Sequence, residues 1–126
     1  MSGTFRDLRC WQKAADLSVA IYRVTLRFPK EEMFGLTSQL RRASVSVISN
    51  IAEGKGRSSE KELLRFLSTA RGSLFEVEAQ IMLAERLGYV TKEDVAKLSS
   101  MTSETGKMLN GLMRAIDPEK SKSTAA

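Results

Sequence analysis

The segment Asn50-Ile51-Ala52-Glu53-Gly54-Lys55-Gly56-Arg57 puts an amide, a carboxylate, two glycines and two cations into eight residues. Backbone amides exposed around Gly54 and Gly56, with Lys55 and Arg57 beside them, could cradle a phosphate. The segment lacks the length and the Lys-Ser/Thr ending of a P-loop, and no strand pattern precedes it. A helix-to-helix turn that needs glycine for its dihedrals explains the same residues, with Gly54 in the left-handed position past a helix end. Upstream, Gln39, Arg42, Ser46, Asn50 and Glu53 recur every three or four residues and form a polar stripe on one helix. Thr69, Ser73, Glu76 and Gln80 form a second stripe further along. Facing each other, the two would make an interhelical network. In it Arg42 meets a carboxylate such as Glu76, and Asn50 bonds backbone or a neighbouring helix. Gly72 and Ser73 would let the backbones approach closely. Such a network can fix register or oligomeric state; a solvated polar face is the alternative.

Other chemistry is sparse. The chain has no histidine and one cysteine, so triads built on imidazole and histidine metal sites are excluded. The paired carboxylates Glu31-Glu32, Glu60/Glu62, Glu76/Glu78 and Glu93-Asp94 lack the Glu-x-x-His spacing of di-iron bundles. Most fall at helix starts, where the macrodipole favours negative charge. No catalytic residue, cofactor or metal is expected. Cys10 is alone, which excludes an internal disulfide and suits the reducing cytoplasm. The N-terminus has no apolar h-region, and no apolar run reaches the ~20 residues of a membrane span.

The formal charge of +5 is unevenly placed. Residues 1–57 hold ten Lys/Arg against five Asp/Glu, whereas residues 58–126 hold ten of each. That asymmetry points to an anionic partner, nucleic acid or a membrane surface, with charge that serves solubility alone as the alternative; for nucleic acid the candidate contacts are Arg23, Arg27, Arg41, Lys55 and Arg57. Few aromatics remain for stacking on bases, so phosphate contacts rather than sequence-specific reading are expected.

These side chains need a scaffold, and hydrophobic spacing supplies one. Ala14, Leu17, Ile21, Val24 and Phe28 predict a helix over about 7–28, stopped by Pro29. Leu36, Leu40, Ala43, Val47 and Ile51 predict a second over 37–53. Ser59 and Glu62 read as a capping box for a third, with Leu63, Phe66, Ala70, Leu74, Val77, Ile81 and Ala84 inward and Gly88 closing it. Thr91 opens a fourth, through about Ile116, with Val95, Leu98, Met101, Thr105, Met108, Leu112 and Ile116 inward. Short connectors imply an all-α, antiparallel up-down-up-down four-helix bundle over residues 1–118, with a disordered tail at 119–126. The third helix also carries Leu64, Leu67, Phe75 and Met82 outside its seam. Apolar surface in such excess predicts a subunit interface.

The residues Phe34-Gly35-Leu36-Thr37-Ser38-Gln39-Leu40-Arg41-Arg42-Ala43, then Ser46 and Asn50-Ile51-Ala52-Glu53-Gly54 through Arg57, resemble the four-helix-bundle proteins encoded in 23S rRNA intervening sequences. Leu8-x-x-Trp11-x-x-Ala14, Phe66, Ala70, Gly72-Ser73, Glu76 and Leu87-Gly88-Tyr89 fit the same pattern, over about residues 5 to 115. Ile48 stands where many members have proline. The resemblance implies a ring-shaped homopentamer without catalytic residues. It extends to the accessory variability determinant proteins of diversity-generating retroelements, which look like the same pentamer with a basic surface for nucleic acid and a reverse transcriptase. The expectation is therefore a cytoplasmic, non-enzymatic homo-oligomer that binds nucleic acid, RNA rather than DNA. A protein-interaction scaffold without direct nucleic-acid contact is the alternative.

Overall fold

A computed structural model describes residues 3–117. It contains four α-helices and, among the described residues, no strand. These are α1 (Arg9–Thr25), α2 (Leu36–Lys55), α3 (Glu60–Arg86) and α4 (Lys92–Ile116), with short 3-10 turns at Phe5–Asp7 and Lys30–Glu32. The expected tail at 119–126 lies outside the described residues. Each helix packs against its two sequence-adjacent or terminal neighbours, so α1 sits diagonal to α3 and α2 to α4. Side-chain partners fix the register. Ser18 meets Ser44 across α1 and α2; Gln39 meets Gln80 and Ser46 meets Ser73 across α2 and α3. Arg71 meets Asn110 across α3 and α4, and Lys13 meets Glu104 across α1 and α4.

The helix ends follow local chemistry. Ser59 Oγ accepts the Glu62 amide at 3.1 Å, giving half of the expected capping box. Thr91 and Asp94 complete a full box at the start of α4, each side chain accepting the other's amide at 3.0 Å. At the end of α3, Gly88 has φ +80°, and the Tyr89 and Gly88 amides bond back to Ala84 and Glu85. That pattern is a Schellman motif, which requires the left-handed conformation glycine tolerates.

The inward seams of α1 and α2 are buried as the spacing predicts. On α4 the buried line is instead Leu98, Thr102, Thr105, Leu109 and Met113, with Met101, Met108 and Leu112 half-buried beside it. Threonines can sit there because Thr102 and Thr105 donate their hydroxyls to the carbonyls of Ser99 and Met101; a polar group paired within its own helix is cheap to bury.

Two glycines differ from expectation. Gly54 is not past the end of α2 and is not left-handed; it lies inside the helix, buried. A Cβ there would come within 2.8 Å of Phe66 Cβ and 3.1 Å of Leu63 Cδ1. The residue is small because α3 occupies the space. Gly72 lies on the exposed side of α3 with nothing within 4 Å of its would-be Cβ, so it does not bring α2 and α3 together. Ser73, its neighbour, does face α2. Gly54→Ala should therefore destabilise the fold by about 1–3 kcal/mol through overpacking, whereas Gly72→Ala should stabilise it by roughly 0.5–1 kcal/mol through helix propensity. Denaturant unfolding of the two variants beside the parent measures both; equal effects of one sign would refute the distinction.

Candidate interaction surfaces

The polar stripe of α2 lies along its junction with α3, where Gln39, Arg42, Ser46, Glu76 and Gln80 line a shallow groove. Its centre is a chain of hydroxyls and an amide. Ser46 Oγ lies 2.8 Å from Ser73 Oγ, and Asn50 Nδ2 donates to the Ser46 carbonyl at 2.8 Å and to Ser46 Oγ at 3.1 Å. Asn50 is half-buried and bonds within its own helix; Glu53 is exposed. Arg42 and Glu76 share the groove but make no ion pair, so the expected charged centre of the network is absent. Short hydroxyl partners need the helices close, and that closeness leaves the two long charged side chains at the rim. Gln80 Nε2 reaches Gln39 Oε1 at 3.4 Å while Gln80 Oε1 is buried without a partner among the described residues.

The five candidate cations do not share one surface. Arg41 and Lys55 lie fourteen residues apart on α2, about 21 Å along its axis. Arg41 is half-buried: its Nε donates to Thr25 Oγ1 at 2.9 Å, and its guanidinium lies 4.7 Å from the Tyr22 ring centre. Arg27 is held by Asp94 at 3.0 Å, an exposed pair of small energetic weight. Arg23 is exposed beside it. At the α2–α3 turn, Arg57 and Arg65 stack on Phe66 at 4.9 and 4.8 Å. Neither forms an ion pair among the described residues. Lys55 is half-buried close by.

The apolar surface also divides. Leu67, expected at an interface, is fully buried in the bundle and belongs to the core. It lies one residue from Phe66, and the packing of α3 turns Leu67 rather than Phe66 to the centre. Leu64 is half-buried. Phe75 and Met82 are exposed, at 60% and 62%, on the outer side of α3. A second exposed apolar line runs along α1 through Val19, Tyr22 and Leu26. It continues an open hollow floored by Trp11 and, from α2, by Val45 and Ile48. The spacing Trp11, Ala15, Val19, Tyr22, Leu26 was visible in the sequence as a second apolar stripe on the first helix. It escaped notice because the stronger inward stripe explains the helix by itself.

The titration shifts of Glu32, Tyr89 and Asp94 mark the end of the bundle opposite the glycine turn. Glu32 is held below the usual carboxylate range, first because its Oε1 accepts the Leu36 amide and then because Tyr89 donates to its Oε2 at 2.8 Å. The same bond holds the Tyr89 phenol above its usual range, and the Tyr89 ring packs against Phe28 with centres 5.3 Å apart. Asp94 is also lowered, by the Thr91 amide first and Arg27 second. Cys10 is buried and forms no disulfide; burial pushes its thiol up. Among the described residues no cluster of three acidic, cysteine or histidine side chains could hold a metal, and no helix is long and apolar enough to cross a membrane.

The described residues define a small all-α protein of four helices. The sequence matches the 23S rRNA-intervening sequence protein family over residues 6–111, and the chain belongs to that family. No curated protein matches it. It is similar in structure to a protein of unknown function from the S23 ribosomal protein family of Bacteroides thetaiotaomicron. That likeness has a TM-score of 0.77 and 22% identity, covers 83% of this chain and 95% of the other, and shows the fold alone.

Both lowered carboxylates should make stability fall on acidification. A carboxyl with a depressed folded pKa contributes above its unfolded value, about 4, and loses that contribution as pH drops through the folded one. Glu32→Gln should therefore flatten the decline of the thermal midpoint between about pH 5 and pH 3 relative to the parent. Identical pH profiles would show that the Leu36 and Tyr89 bonds to Glu32 do not contribute.

Proposed function

We propose that this protein is a non-enzymatic, cytoplasmic homopentamer, a ring of antiparallel up-down-up-down bundles that binds nucleic acid through phosphates, RNA in preference to DNA. The register pairs support the antiparallel order: partners rise in number on one helix as they fall on the next, as Gln39–Gln80 and Ser46–Ser73 do. Family membership and the net charge of +5 support the choice of partner. The observation that carries the reading is the pair of guanidiniums at Arg57 and Arg65, held on the Phe66 ring without a carboxylate. A cation seated on an aromatic face is oriented yet keeps its outward N–H groups for phosphate oxygens. Arg23, Arg27, Arg41 and Lys55 lie outside that pair, and a ring would repeat each site and add avidity to weak single contacts. Kinship of role with the accessory variability determinant proteins belongs to the same proposal.

A second reading is a protein-interaction scaffold, such as an accessory subunit of a nucleic-acid enzyme. It is favoured by the division of the cations between two ends of the bundle and by the exposed apolar hollow on α1 and α2.

Fluorescence anisotropy with a labelled single-stranded RNA separates the two. Binding should weaken steeply with salt, each phosphate contact adding about 0.7 to the slope of log K against log salt. Arg57→Ala should reduce that slope by about one contact. Absence of binding at low salt, or binding indifferent to salt, would overturn the nucleic-acid reading in favour of the scaffold.

A further inference from the structure

We propose that the nucleic acid taken at the Arg57 end of the bundle is an unpaired strand, whose bases stack on arginines already seated on phenyl rings. This rests on the nucleic-acid reading above and names the form of the partner. Arg57 and Arg65 lie over Phe66 at 4.9 and 4.8 Å, and Arg6 lies over Phe5 at 5.1 Å. All three belong to one end of the molecule. Phe5, Arg6, Lys55 and Gly56 line a single hollow of about 270 Å³; Arg57 follows Gly56 in the chain, and Phe66 packs against Gly54. The three arginines are exposed. Their guanidiniums form no hydrogen bond or ion pair among the described residues.

Each of these guanidiniums has one face toward a ring and the other toward solvent. The ring holds a long side chain in place, so less freedom is lost when a ligand arrives. Guanidinium planes are surfaces on which splayed RNA bases stack. Such stacking tolerates any base, because every base has a π-face. Phe5 and Phe66 are themselves half-buried under their arginines, so the stacking surface is the guanidinium and not the phenyl. Its N–H edges stay available to phosphate oxygens.

Charge at this end argues against a duplex. Met113 and Asp117 line a hollow with Lys61 and Arg65, so the end of α4 belongs here too. Residues 3–9, 53–65 and 114–117 together hold seven Lys/Arg against five Asp/Glu. Asp7 is taken up by the Thr4 amide, but Glu53 and Glu60 are exposed beside the arginines. So small an excess gives a duplex little hold, since non-specific attraction to a duplex rests on its phosphates. Its paired bases also offer no free faces to the arginines. An unpaired strand adds base stacking to the same weak phosphate attraction.

Three labelled probes of one length test the stacking by fluorescence anisotropy with the full chain. They are an unstructured mixed-sequence RNA, the same RNA paired with its complement, and a strand with the same phosphates but abasic residues. The first should bind at least about fivefold more tightly than either of the others, the least that one stacked base contributes. The double variant Arg57→Lys/Arg65→Lys keeps the charge and loses the flat faces. Both positions are exposed, so its helical circular dichroism should match the parent's. It should lower the preference for the first probe over the abasic strand, while its slope of log K against log salt stays within about 0.7, one contact, of the parent's. An abasic strand or a duplex bound as tightly as the first probe, or a lysine variant that keeps the parent's preference, overturns the stacking while phosphate binding stands. If none of the three probes binds at low salt, the nucleic-acid reading and this inference fall together.

Discussion

The close approach of α2 and α3 is the constraint on which the rest of the molecule depends. It is set at one end by the missing Cβ of Gly54 under Phe66 and Leu63 and midway by the 2.8 Å contact between Ser46 and Ser73. Small residues at both levels hold the axes near enough for hydroxyls to meet directly. A larger side chain at either place would separate the helices and disturb the other. The arrangement also decides the fate of the charged residues nearby. Arg42 and Glu76 are too long for the space between the helices and are left along the groove, while the buried contacts go to serine and asparagine.

Much of this scaffold was legible in the amino-acid order. The seams Ala14–Leu17–Ile21–Val24 and Leu36–Leu40–Ala43–Val47–Ile51 are the most regular apolar lines of their helices, and both are buried. The end of α3 at Gly88 and the start of α4 at Thr91 follow from local hydrogen bonding that a few residues fully specify. The failures have physical causes. The inward line of α4 was drawn through Leu98 and Thr105, which are buried, but also through Met101, Met108 and Leu112, because hydrophobicity outranked Thr102 in the spacing argument; a threonine bonded to its own helix buries almost as easily. Gly54 was assigned a conformational role when its role is steric, and sequence does not distinguish the two. Leu67 was sent to the surface because it neighbours Phe66, and a difference of one residue, about 100° of helix rotation, depends on tertiary contacts.

The candidate surfaces were less legible still. A basic half was visible from composition, but its division between the two ends of α2 depends on which way each helix runs and on what holds each arginine. Arg41 is tied to Thr25 and Tyr22, Arg27 to Asp94, and Arg57 to Phe66. Among the described residues, the last of these pairings leaves a cation that bonds to no carboxylate or hydroxyl. Phe34, 97% exposed in the connector before α2, has no role in the packing of this chain.

Cys10 has a consequence of a different kind. It is the chain's one thiol, sealed at the first turn of α1 and raised in pKa by that sealing. Both conditions suppress the thiolate, the form that reacts with disulfides, alkylating agents and peroxide. Modification of the folded protein must then wait for α1 to lift from its neighbours. The rate of thiol capture is thus a built-in clock for local opening at this end of the bundle, readable without introducing a label.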